Sequence, residues 1–203
     1  MPGRFALDLT EVTRGQYAAW LASRPSPSGQ PAICAWNTTF VPEPACMAKS
    51  SVCAGTSCAN HPQPCVDFCD ATAYCHSIGR HLCSDDNWTN ACSSDGANPA
   101  GYGVGFVSNA CNDYTIGGET TVAVASKPGC RTPAQATFPG VFDMIGNLAE
   151  WADNCTGSAG ATDVCKPRGL SFGHGAAAPL CQQSTYAARS DTLDNLGFRC
   201  CGP

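Results

Sequence analysis

The densest potential chemistry lies in Gly140-Val141-Phe142-Asp143-Met144-Ile145-Gly146-Asn147-Leu148-Ala149-Glu150-Trp151. Asp143 and Glu150 bring hard carboxylate oxygens, and Gly146 lets the backbone fold so that carbonyls point inward. Oxygen-only ligands of this kind suit Ca²⁺ better than transition metals. A competing reading makes the same residues structural: Asp143 caps a turn and Glu150 meets an arginine such as Arg199. Upstream, Asn109-Ala110-Cys111-Asn112-Asp113 offers a second group of oxygens. The 16 cysteines are the other reactive set. An even number suits an oxidising compartment and up to eight disulfides. Their spacings lack the paired C-x2-C of zinc ribbons.

Three helices are predicted to position these groups. Thr13 followed by Gln16 forms a capping box, with Val12 and Tyr17 at its staple positions. Tyr17, Trp20 and Leu21 then share a face, and Pro25 marks the end. The second helix follows Val66-Asp67-Phe68, capped by Asp67 or Asp70. Ala71, Tyr74, Cys75 and Ile78 recur along it at helical spacing, and Gly79 is a good stop. In the third, Ser84 caps Asp85-Asp86-Asn87-Trp88, and the two acids suit the positive helix start. Residues 25–64 mix cysteines with Pro, Ser and Gly and are predicted to be disulfide-pinned loop. Residues 93–140 lack sustained periodicity, so something must hold them. Short strands are expected at 148–153, 168–172, 184–189 and 196–201. No repeat or linker interrupts the chain, which reads as a single α+β domain over residues 1–203.

Composition narrows the function. Gly and Pro number 21 and 15 in 203 residues, and the missing large aliphatics are replaced by 29 Ala. A core of Ala and Cys buries little area per residue, so covalent staples are expected to matter. No apolar run approaches the ~20 residues of a membrane span. The 11 Lys and Arg are scattered against 16 acids, without the basic stripe that nucleic acid requires. Met1 leads straight into Pro-Gly-Arg-Phe with no signal-peptide pattern. Cysteine content and start agree if this is a mature, monomeric domain of a larger secreted protein, placed extracellularly, in the periplasm or at the cell surface. The Asn-x-Thr sequons at Asn37, Asn87 and Asn154 matter only in a glycosylating pathway.

Ordered motifs along the chain carry a resemblance. His61-Pro62-Gln63-Pro64-Cys65-Val66-Asp67-Phe68, Ala73-Tyr74-Cys75, Gly79-Arg80-His81-Leu82 and Asn87-Trp88 resemble the formylglycine-generating enzyme, or sulfatase-modifying factor, family. The block from Gly140 to Trp151 is close to that family's Gly-Leu-Tyr-Asp-Met-x-Gly-Asn-x-x-Glu-Trp. Arg168-Gly169-Leu170-Ser171-Phe172, Ala187-Ala188-Arg189 and Asn195-Leu196-Gly197-Phe198-Arg199-Cys200 continue it, and Asp8-x-x-Glu11-Val12-Thr13 resembles the opening helix. The resemblance implies a loop-rich, disulfide-stapled variant of the C-type-lectin-like fold.

It also implies sites. A calcium ion would be held by Asp143, the backbone oxygens of Gly146 and Leu148, and Glu150. A second calcium would lie near Asn112, although its downstream Asp-Gly-Phe partner is missing. Cys75 would pair with Cys200. Cys155 and Cys165 flank a short Gly/Ala-rich hairpin and are expected to pair locally, and Cys111 with Cys130 would pin the long loop. A vicinal Cys200–Cys201 bridge is sterically poor, so Cys201 needs another partner. The family's oxidases use two cysteines to bind copper and, with O₂, convert a substrate cysteine to formylglycine. One register places the second of these on Cys181 and the first on Ala176; another puts the first at His174. Neither gives a cysteine pair, and one thiolate cannot make the same linear Cu(I) site. If the chain were active, Cys181 and His174 would be its candidates. Cys92 loses its usual partner, because Tyr186 stands at that position, and Cys181 is free to take it. Trp88, Trp151 and Phe198 are read as core aromatics in preference to sugar platforms. The expected function is therefore a secreted, calcium-stabilised module binding a protein or glycan ligand, with a formylglycine-generating oxidase as the alternative.

Overall fold

A computed structural model describes residues 5–173 and 180–203. In chain order its elements are β1 (Ala6–Leu7), α1 (Arg14–Ala22), α2 (Pro44–Met47), α3 (Phe68–Ser77), β2 (His81–Leu82) and α4 (Asp85–Ser93). The second half holds only short strands: β3 (Ala149–Trp151), β4 (Val164–Cys165), β5 (Ala187–Ala188), β6 (Leu196–Phe198) and β7 (Cys200–Gly202). Short 3₁₀ turns at Ala32–Cys34, Thr56–Asn60 and Tyr114–Ile116 complete the set. No helix among the described residues is long and apolar enough to cross a membrane.

The helices begin where their caps direct. Thr13 Oγ1 accepts from the Gln16 amide at 3.2 Å, and Gln16 Oε1 accepts from the Thr13 amide at 2.8 Å. Asp67 and Asp70 make the same reciprocal box on α3, and Ser84 caps α4. Gly79 takes φ +74° just past α3, where Gly79 N–H donates to His76 O and Arg80 N–H to Cys75 O. That is the Schellman arrangement, which a side chain at Gly79 would strain.

The strands are shorter than the sequence suggested. β7 lies between β1 and β2 in an antiparallel sheet, and β3 runs parallel to β6 with Glu150 opposite Gly197. The predicted strand at 196–201 is interrupted at Arg199, whose side chain turns into the core. No strand forms at 168–172, because Gly169 (φ +84°) and Leu170 (φ +57°) bend the chain after Arg168. Arg168 alone keeps single bridges, to Glu150 and Ser184. Of 184–189 only β5 is extended.

Two apolar clusters flank β3. One gathers Tyr17, Tyr74, Val66, Trp151, Leu196 and Phe198; the other gathers Trp88, Val141, Met144 and Ile145 with six half-cystines. Trp88, Trp151 and Phe198 are fully buried, so they are core residues and not sugar platforms. Trp151 Nε1 donates to Val66 O, and Tyr17 Oη to Phe40 O, so both polar tips are satisfied.

All 16 cysteines are bridged. The expected pairs Cys75–Cys200, Cys155–Cys165 and Cys111–Cys130 are present, and Cys201 pairs with Cys83. Cys34–Cys69, Cys46–Cys65, Cys53–Cys58 and Cys92–Cys181 complete the eight. The aperiodic segment 93–140 is thus held by Cys111–Cys130, with Cys92–Cys181 at its root.

The α3 cap carries a pH signature. Burial, and for Asp70 the neighbouring Asp67 charge, raise the two carboxyls to about 6 (Asp67) and about 8 (Asp70). Asn37 Nδ2 bonds Asp70 Oδ1 at 2.8 Å but does not neutralise it. A carboxyl that holds its proton more tightly when folded favours the native state at low pH, and that contribution is lost as pH rises through the folded pKa. Asp70→Asn should therefore gain melting temperature over the wild type as pH is raised from about 5 to about 8.5. Parallel melting curves across that range would contradict this assignment.

Candidate functional site

A buried ion cluster is built by the middle residue of β3 and the residue joining β6 to β7. Glu150 and Arg199 are both fully buried. Arg199 Nε donates to Glu150 Oε1 and Oε2 at 3.0 and 2.8 Å, and Nη2 to Oε1 at 2.7 Å. Trp88 Nε1 donates to Oε2 at 2.7 Å. These four bonds occupy the lone-pair directions of the carboxylate. Glu150 meets Arg199, the structural arrangement that the sequence allowed beside its calcium reading.

Two more carboxylates face this pair. Glu11 accepts from the Leu148 amide and Asn147 Nδ2, each at 2.9 Å. Asp143 Oδ2 accepts from the Ala125 amide at 2.7 Å and so fixes a turn. Burial, then the charges of Asp143 and Glu150, push Glu11 well above the usual carboxylate range. Burial also raises Asp143, to about 6. Three buried carboxylates thus face one buried guanidinium. Arg199 in turn is raised by its carboxylate neighbours against the cost of burial.

Gly146 sits where the backbones cross. At φ +79°, a Cβ there would lie 2.5 Å from the Asn112 carbonyl oxygen. Asn112 receives the Asn147 amide on that carbonyl at 2.7 Å and sends its Nδ2 to Thr120 O at 3.0 Å. Beside it, Asp113 is 1% exposed and its Oδ2 has no hydrogen-bond partner. The carbonyls of Gly146 and Leu148 accept no hydrogen bond among the described residues. No three His, Cys, Asp or Glu side chains converge as a metal cage among the described residues. Any cation here must therefore draw on backbone oxygens.

The copper candidates fall differently. Cys181 is fully buried and bonded to Cys92, so it offers no thiolate. This is the structural partnership with Cys92 that the sequence allowed; a copper role falls to Cys181 only in an active chain. His174 and Ala176 lie outside the described residues. Among the described residues no two free thiols remain.

The sequence missed a groove of about 440 Å³ that runs past Ser171-Phe172-Gly173. Phe172 and Leu196 give it an apolar floor, Tyr186 stands 71% exposed at one side, and Asp194 closes the other. Lys49 Nζ meets Asp194 Oδ1 at 2.8 Å, and Ser51 Oγ donates to its second oxygen. Tyr186 at a family cysteine position was the available signal.

The profile of the sulfatase-modifying factor enzyme 1-like domain matches residues 3–202. The chain belongs to this family. Solved structures share its fold and nearly its whole length. One titled "Crystal Structure of CarF" superposes with a TM-score of 0.69 at 21% identity, covering 98% of this chain and 86% of its own. PvdO from Pseudomonas aeruginosa gives 0.68 at 23% identity, covering 98% of this chain and 80% of its own. Treponema denticola variable protein 1 gives 0.67 at 15% identity, covering 98% and 84%. No curated protein sequence matches this chain.

Proposed function

We propose that this chain is a non-catalytic binding module of the sulfatase-modifying factor fold, secreted and stabilised by calcium. The groove between Phe172 and Tyr186 receives a protein or glycan ligand. The observation that carries this reading is the Cys92–Cys181 bridge: with all 16 cysteines paired, no thiolate pair is left for copper. A Cys-x-Pro-x-Arg peptide incubated with copper-loaded protein and oxygen should show no aldehyde by mass. Turnover that disappears on Cys181→Ser would instead establish the oxidase.

Calcium is supported by the charge imbalance and by the free carbonyls. Asp143, the backbone oxygens of Gly146 and Leu148, and the Glu150 carboxylate would hold the ion, with Glu150 shared between it and Arg199. A second ion near Asn112 would engage the unpartnered Asp113 Oδ2. Bound calcium would supply charge compensation and rigidity, not a reaction. A ligand binding only the native state stabilises it by about 2.7 kcal/mol at 100-fold saturation. Chelation should therefore lower the melting temperature, and Asp143→Ala should abolish that response. An unchanged melting curve in chelator would leave the carboxylates protonated and the calcium reading wrong.

A further inference from the structure

The Cys53–Cys58 bridge differs from the other seven in its surroundings. It spans five positions, the shortest separation of the eight. The four residues between its cysteines are all exposed. Cys53 is one of only two cysteines that are not buried, the other being Cys155. Against the Cys53 sulfur lies an imidazole, with His61 Nε2 3.6 Å from Sγ. No other bridge among the described residues has an imidazole nitrogen in hydrogen-bonding range of its sulfur.

The rest of the pocket orients that ring. His61 Nδ1 is 2.9 Å from Thr121 Oγ1. With Nδ1–H donated to Thr121, the neutral ring turns an unprotonated Nε2 toward sulfur. Arg14 is the charged group acting on His61. Together with burial it lowers the imidazole below its usual 6.5, so the base form prevails at neutral pH. The same guanidinium donates to the Cys53 carbonyl and so fixes the sulfur's backbone. A partly exposed cysteine, a positioned base and a short exposed loop are the parts that thiol–disulfide exchange needs.

We propose that Cys53–Cys58 is an exchange site for small thiols, with His61 as its general base. The thiol gives its proton to His61 Nε2 as its sulfur attacks Cys53 Sγ. The Sγ–Sγ bond breaks, and Cys58 leaves with the electron pair and takes a proton from the imidazolium. A second thiol attacks the external sulfur of the mixed disulfide and releases Cys53, which is protonated in turn. Two thiols become one disulfide, and the protein bridge gains two electrons and two protons. Opening it frees the Thr56–Asn60 turn, which packs on α1 where Ala59 O would meet a Gly15 Cβ at 3.1 Å. That turn borders a cavity of about 300 Å³ that Leu21 and Met47 also line. The seven other bridges keep the domain folded while this edge loosens.

The test treats the folded protein with dithiothreitol without denaturant, quenches with alkylating reagent at intervals, and maps modified cysteines by mass. Cys53 and Cys58 should be labelled before any other pair. His61→Gln should slow their labelling about a hundredfold near neutral pH, the lower end for losing a positioned base. The wild-type rate should level off above the His61 pKa, whereas the variant rate should keep rising with the thiolate fraction. Cys155–Cys165, half-exposed but without an imidazole, is the internal reference, and its unchanged rate certifies the variant's fold. If the reference also accelerates, Thr121→Val, which releases the tautomer, must slow Cys53 labelling in its place. Earlier opening of another bridge, or a rate and pH profile unmoved by these variants, overturns the proposal.

Discussion

Arg199→Met is expected to destabilise the domain by about 3–5 kcal/mol, the cost of breaking a buried ion pair from one side. The guanidinium holds more than Glu150: Nη1 donates to Asp8 O at 3.1 Å and Nη2 to Phe142 O at 2.9 Å. Its removal leaves Glu150 fully buried with Glu11 and Asp143 as its nearest charges, so three acids repel with no cation among them. The double variant Arg199→Met/Glu150→Gln should recover much of the loss, because glutamine keeps an acceptor for Trp88 Nε1 and carries no charge. Urea titrations of both variants measure the difference. By contrast, Lys49→Ala, which removes a half-exposed partner of Asp194, should change stability by no more than about 1 kcal/mol. Equal losses for Arg199→Met and Lys49→Ala would show that burial does not amplify the pair.

Removing Cys75–Cys200 by a double substitution to alanine should cost about 5 kcal/mol in the chain-entropy model, since it closes a loop with a sequence separation of 125. The bridge ties the last turns of α3 to β7. Removing Cys53–Cys58, with a separation of five, should cost much less. Thermal melting of both variants beside the wild type gives the ranking. A reversed order would mean that native contacts, and not denatured-state entropy, set the value of these bridges.

Local rules made the helices legible. Thr13, Asp67 and Ser84 act through atoms within three residues, so a cap read from sequence survives whatever surrounds it. Strands depend on partners far away, and here Arg199 and the Gly169-Leu170 bend overruled the pattern. The two long-separation bridges anticipated, Cys75–Cys200 and Cys92–Cys181, came from family motifs, not from spacing. Cys34–Cys69, Cys46–Cys65 and Cys83–Cys201 were not legible, because pairing is a property of the folded surface. The ion cluster was half legible. Asp143 and Glu150 stood out as hard oxygens, and Glu150–Arg199 was a named alternative, but whether that pair forms depended on β3 and β6 lying parallel. The groove was invisible, since Lys49 and Asp194 are 145 positions apart.

The neighbouring cysteines of β7 act as a ratchet on alignment. Cys200 stands opposite Leu82 and Cys201 opposite His81, and adjacent strand residues face opposite sides of a sheet. Cys200 reaches back to α3, while Cys201 reaches Cys83 on the other side. A slip of one position would exchange the two sides and present each sulfur to the wrong partner. Oxidation can thus close both bridges together only in the correct alignment, and a sheet whose strands are two or three residues long gains a proofreading step that its hydrogen bonds are too few to provide. The same arrangement orders events during synthesis. Cys75 and Cys83 emerge from the ribosome more than a hundred residues before their partners, so until β7 arrives they remain open to premature pairing. A thiol-disulfide isomerase should therefore accelerate maturation chiefly at this clasp.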